Sequence, residues 1–120
     1  MPLAGGLLSG KRKSQKGSRT AQVENEYGFN VSKNKMLEDF SKLCAELGEK
    51  EHIVATAWTL HNPAVTSAIV GVRTLQHLEG IERAAELGLE AEVLEKLDKL
   101  FDINKGRPLR NKPAPEAYAW

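Results

Sequence analysis

One cysteine, Cys44, is all the thiol chemistry this chain carries. A lone cysteine cannot close an internal disulfide or build a cysteine-based zinc site. Cys44 falls in a helical apolar pattern, which predicts a buried, inert thiol. A dominant charge sign is also lacking: 17 Lys and Arg against 16 Asp and Glu leave a net charge of +1. No global field is present to attract nucleic acid. No apolar run approaches the roughly 20 residues that a membrane-spanning helix needs. His52 and His61 lack the spacing of a metal pair and read as helix-surface or helix-end residues, so no metal is expected. Charges first arrive at Lys11, and Met1 to Leu8 lack a basic n-region. No secretory signal is therefore expected, and the expected compartment is cytoplasmic.

What is present begins with a near-motif. Gly5-Gly6-Leu7-Leu8-Ser9-Gly10-Lys11 reads G-x-x-x-x-G-K. A phosphate-binding P-loop needs a hydroxyl next, to hold magnesium, and Arg12 stands there instead. The motif also needs a strand before it and a helix after it. Only four residues precede Gly5, and the following segment has no apolar period. The stretch still suits phosphate, because glycines let backbone amides approach an anion. Five of the nine residues from Lys11 to Arg19 are basic. They read as a solvated loop, a loop meeting a small anion, or a localisation or nucleic-acid arm.

Residues 11–34 are polar and aperiodic, and a long loop is expected there. A helix is predicted over about 35–47, with Met36, Phe40, Leu43 and Leu47 on one face and Leu37 and Cys44 beside them. Asn34 or Ser32 can cap it, and Gly48 can end it in the left-handed conformation. A second helix, about 51–61, turns Val54, Ala57 and Trp58 inward and stops at Asn62-Pro63. The β-branched run over 65–70 predicts a strand. Thr74 reads as the cap of a third helix over about 75–87. A fourth, about 91–102, carries Val93, Leu94, Leu97, Leu100 and Phe101 on one stripe. The tail, 103–120, contains three prolines. A lone strand leaves two edges unpaired, so the pattern is mostly helical with one strand, part of a larger α/β domain.

The turn Val70-Gly71-Val72-Arg73-Thr74 is a second place for an anion. The first amides of a helix have no partners within it, and its dipole is positive there. Arg73 can offer a fork of donors to a phosphate, or it is an ordinary surface cation.

The stretch from Ala57 through His61-Asn62-Pro63 to Val70-Gly71-Val72-Arg73-Thr74 resembles the last barrel strand of the aldo-keto reductases, with its flanking helix and turn. The stretch from Pro2 to Lys11 is similar to that family's loop after strand seven, and residues 89–101 resemble its late C-terminal helix. The resemblance covers essentially all of 1–120 and implies the C-terminal fragment of a TIM (β/α)8 barrel, an α/β fold that reduces aldehydes and ketones with NADP(H). Residues 1–34 would then be the cofactor loop and a long polar loop, and 35–102 the last strand with its helices. By position, the resemblance implies that Pro2, Leu3, Ala4 and Gly5 line the pyrophosphate. Lys11 and Arg19 would add positive charge. Gly71 and Arg73 would meet the 2′-phosphate, and His77 would stand where the family usually has a glutamine beside the adenosine. Gly80 and Ile81 depart from the glutamate and asparagine that the family often uses on adenine.

The family's catalytic aspartate, tyrosine, lysine and histidine come from earlier strands, and no catalytic residue is assigned in 1–120. Tyr27 and Tyr118 lack a neighbouring lysine and aspartate in the required order. The expected role is a truncated reductase, inactive alone. The alternatives are a subunit of a split reductase, with another chain supplying the missing strands, and a non-enzymatic binding module. A small-molecule carbonyl substrate is implied for the full-length family, with neither nucleic acid nor membrane as partner.

Overall fold

The computed structural model describes residues 2–10, 34–72 and 74–101. Four helices carry that part: α1 (Lys35–Glu46), α2 (Glu51–His61), α3 (Leu75–Glu86) and α4 (Ala91–Leu100). A short 3-10 turn, Ala4–Gly6, precedes them.

Local chemistry sets each boundary. Asn34 is extended, and its side chain accepts the Leu37 N–H at 3.3 Å, which caps α1. Gly48 closes α1 at φ 68°. There the Gly48 N–H donates to the Ala45 carbonyl and the Glu49 N–H to that of Cys44, so the last carbonyls of α1 find partners. Asn62 ends α2, with its side chain accepting the Ala64 N–H at 2.9 Å. Thr74 is extended and accepts the His77 N–H at 3.3 Å, which caps α3.

The helix α2 is the centre of the packing. Ile53, Val54, Ala55, Thr56 and Ala57 are buried in succession, as in a helix covered on several sides. Thr56, the one buried polar residue among those described, donates its hydroxyl to the His52 carbonyl at 2.8 Å and so leaves no orphan group. The neighbours of α2 are α1 and α3, and α4 packs on α1. From α1 come Leu37, Phe40 and Cys44, each essentially inaccessible, and from α4 comes Leu97. Phe101 fills the junction. Its ring meets Phe40 edge-on at 5.3 Å and Trp58 at 5.2 Å, in the range favoured by aromatic pairs. Two polar ties hold the outside. The Trp58 Nε1–H donates to Asp98 at 2.9 Å, and Arg83 on α3 grips Glu49 with Nε at 2.9 Å and a second guanidinium N–H.

The expected strand is corrected. Among the described residues no strand forms, and 65–70 run without regular pairing. The β-branched run was read as strand because such residues fit a pleated, half-buried surface. That surface exists only when neighbouring edges supply a ladder, and the described residues supply none. Ile69 is left 91% exposed. The mostly helical character holds. Among the described residues no helix is long and apolar enough to cross a membrane.

Candidate functional site

The opening turn is wound by backbone hydrogen bonds. The N–H groups of Gly6 and Leu8 both donate to the Leu3 carbonyl, and those of Leu7 and Ser9 to Ala4 and Gly6. The Ser9 hydroxyl adds a bond to the Gly6 carbonyl at 2.6 Å. Ala4, Gly5 and Gly6 all take positive φ, at 46°, 71° and 102°. Glycine does so without strain. Ala4 is a non-glycine residue in the left-handed region, a cost of order 1 kcal/mol that often marks a functional turn. The amides of Ala4 and Gly5 have no acceptor among the described residues. Leu8 is buried in the core, and Leu3 and Leu7 pack against it. The turn is therefore anchored by its leucines, with Ala4 exposed and Gly5 buried.

The start of α3 repeats the arrangement by another route. Thr74 satisfies His77, and the Thr74 carbonyl accepts from His77 and Leu78. The amides of Leu75 and Gln76 have no acceptor among the described residues. They point the positive end of a 12-residue helix at whatever lies before it. A Cβ at Gly71 would meet nothing within 4 Å, so packing inside the described residues does not demand a glycine there. His77 lies exposed in the first turn of α3.

The segments that carry the two turns each come close to the first turn of α2 at one glycine. A Cβ added at Gly10 would lie 3.7 Å from the Glu51 carboxyl carbon, and one at Gly80 would lie 2.8 Å from His52 Nε2. Gly10 ends the segment that begins with Pro2, Leu3, Ala4 and Gly5, and Gly80 lies in α3, the helix that follows Gly71 and carries His77. Lys11, Arg19 and Arg73 lie outside the described residues, as do Tyr27 and Tyr118.

Between α2 and α3 a groove of about 300 Å³ is lined by Lys50, His52, Ile53, Gln76, Glu79 and Gly80. Sequence reasoning passed over His52 as a surface residue. The signal that could have found it is Gly80, a glycine inside a helical pattern, which costs about 1 kcal/mol against alanine and so implies a close approach. Gly80 makes room for the His52 ring. His61, by contrast, is consumed at the far end of α2. Its Nδ1–H donates to the Ala57 carbonyl at 2.8 Å, and its Nε2 accepts the Leu89 N–H at 3.2 Å. A second groove there, about 340 Å³, is lined by residues including Trp58, Pro63 and Leu94. Among the described residues no cluster of His, Cys, Asp or Glu is placed to hold a metal ion.

Burial lowers the His52 pKa from its ordinary 6.5, the cations of Lys50 and His77 push the same way, and Glu51 opposes them. Glu79 is the remaining charged group lining the groove. A depressed folded pKa means that just below pH 6.5 the unfolded chain binds more protons than the folded one. The contribution is therefore full above that value and falls away as pH drops through it. Thermal unfolding followed by circular dichroism at about pH 7.5 and about pH 5.5 checks this. The wild type is expected to lose more on acidification than His52→Gln, and equal losses refute the expectation.

The sequence model described as Aldo/keto reductase family matches residues 1–102. A Bacillus subtilis (strain 168) protein named "Uncharacterized oxidoreductase YrpG" is 46% identical over 121 residues, covering 99% of this chain and 34% of that protein. The chain spans about a third of the length of that curated relative.

Proposed function

Since the chain belongs to the aldo/keto reductase family, we propose that its residues form the NADP(H)-holding side of a carbonyl-reducing TIM barrel. The observation that carries this reading is the pair of turns, Ala4–Gly5 and Leu75–Gln76, whose amides find no acceptor among the described residues. A dinucleotide phosphate presents anionic groups at two separated places, and two amide-bearing turns match that pattern. Pro2, Leu3, Ala4 and Gly5 would hold the pyrophosphate, with Lys11 and Arg19 adding charge. Gly71 and Arg73, with the Leu75 and Gln76 amides, would hold the 2′-phosphate, and His77 would stand near the adenosine. The cofactor, when bound, supplies a hydride. The residues here position it and leave the proton to groups on other barrel strands.

The run 65–72 supports the same reading. Ile69 at 91% and Leu75 at 79% exposure are apolar side chains awaiting cover, next to a segment with strand composition and no ladder. The barrel strands that would pair with it, on this polypeptide or another, are the proposed partner. The carbonyl substrate would meet the assembled barrel, at the C-terminal ends of its strands.

Backbone amide shifts of the isotope-labelled chain under NADPH titration test the cofactor assignment. Ala4, Gly5, Leu75 and Gln76 are expected to move together, and more with NADPH than with NADH. A titration that moves neither turn removes the proposal.

A further inference from the structure

The groove at the C-terminal end of α2 combines apolar walls with one fixed charge. Its volume is about 340 Å³. The Trp58 indole, Pro63, Val65 and Leu94 supply the walls, and Asp98 is the one Asp, Glu, Lys or Arg among the described residues that line it. Asp98 accepts the Trp58 Nε1–H through Oδ1 at 2.9 Å, which fixes the carboxylate beside the ring. His61 adds no competing cation or spare donor, because both ring nitrogens are engaged by backbone groups. Such a groove suits an extended, apolar segment that carries a positive charge. Aromatic-lined grooves bind proline-rich chains in this way, and an arginine beside an indole gains a cation–π contact as well as an ion pair.

We propose that the occupant is this chain's own C-terminal tail, residues 103–115, with a proline on the Trp58 ring and Arg107 or Arg110 at Asp98. The tail leaves from the edge of the groove, since Phe101, the last described residue, has its ring 5.2 Å from that of Trp58. Between 103 and 115 the sequence holds Lys105, Arg107, Arg110 and Lys112 and no acid, with Pro108, Pro113 and Pro115 among them. The charge is thus opposite to that of Asp98. The prolines restrict the backbone before docking, so less freedom is lost on binding. Arg107 is near enough to turn back to Asp98, because six extended residues span about 20 Å. A short tether also gives an effective concentration of about millimolar, which a second copy in dilute solution does not match. The proposal does not rest on the cofactor reading.

The test uses the isotope-labelled 120-residue chain with Trp120→Phe, which leaves Trp58 as its one tryptophan. The Trp58 indole N–H and the Val65 and Leu94 amides are followed in three forms: the tail intact, Arg107→Ala with Arg110→Ala, and the chain ended after residue 102. Both arginines lie beyond the described core, so the helical circular-dichroism signal of the double variant is expected to stay unchanged. Its three groove signals are expected to move toward those of the shortened chain. A synthetic peptide of residues 103–120 is expected to move the shortened chain's signals back, and less so as salt rises, since an exposed ion pair is screened. Asp98→Asn keeps an oxygen for the Trp58 N–H and is expected to weaken the peptide by up to about fivefold, the scale of an exposed ion pair. Groove signals that are the same in the intact and double-variant chains overturn the proposal, whether or not the shortened chain folds. Signals that change with chain concentration make a second copy the occupant and overturn it too.

Discussion

Phe40→Ala is expected to remove about 3–5 kcal/mol of stability, the usual cost of deleting a buried phenylalanine side chain. Phe40 is 0% exposed and stands where α1 meets the rest of the core. Its ring edge faces Phe101, which in turn lies on Trp58 of α2. Truncation therefore opens a cavity and also breaks an aromatic pair worth about 0.5–1.5 kcal/mol on its own. The buried hydrophobic set is small: Leu8, Leu37, Phe40, Cys44, Ile53, Val54, Ala55, Ala57, Ala84, Leu89 and Leu97. A domain of this size is stable by about 5–15 kcal/mol at most, so one such loss takes much of the reserve. Urea unfolding followed by the helical circular-dichroism signal measures it. Phe40→Leu, which keeps most of the volume, should cost less than about 1.5 kcal/mol. A Phe40→Ala loss below about 1 kcal/mol would mean that α1 and α4 do not share one cooperative core.

The helices were legible because each rule that places them is local. Apolar spacing put Phe40 and Cys44 inward, and the observed stripe runs through Leu37, Phe40 and Cys44 with Met36 at its margin. Asn34, Gly48 and Thr74 carry their capping role in their own side chain or backbone freedom. The segment 65–70 was misread for the opposite reason. Strand formation belongs to a pair of edges, and one sequence window shows only half of it. The contact of His52 with Gly80 was illegible for a related cause, because it joins two helices across 28 positions and nothing in either window names the other. The candidate site stands between these cases. The two turns could be anticipated from glycines and a cap, while the approach of Gly80 to His52 in the first turn of α2 needed the packing of α2 on α3. The family likeness supplied what local rules could not, namely the expectation that two separate turns serve one ligand.

The 120-residue polypeptide by itself is expected to reduce no carbonyl above background, and a complementing polypeptide carrying the preceding barrel strands is expected to restore turnover. The argument is geometric. Carbonyl reduction needs a proton donor within about 2.6–3.2 Å of the developing alkoxide. The tyrosines available are Tyr27 and Tyr118, and neither has a neighbouring lysine and aspartate in the order the family uses. Correct positioning of hydride donor, carbonyl and acid is worth about 7–11 kcal/mol of barrier. A half-held cofactor facing solvent supplies little of it. A full barrel of this kind takes about 250 residues, and Ile69 and Leu75 are large apolar side chains left exposed here. The measurement is NADPH consumption across a panel of aldehydes, with preparations from a host lacking its own reductases. Turnover by the 120 residues alone would sink the placement of the chemistry on other strands. Complementation that restores soluble, folded protein but no NADPH consumption would instead sink the assignment of these residues to the cofactor. Restored activity that falls when Arg73→Ala is introduced, and falls less with NADH than with NADPH, would tie the 2′-phosphate to the start of α3.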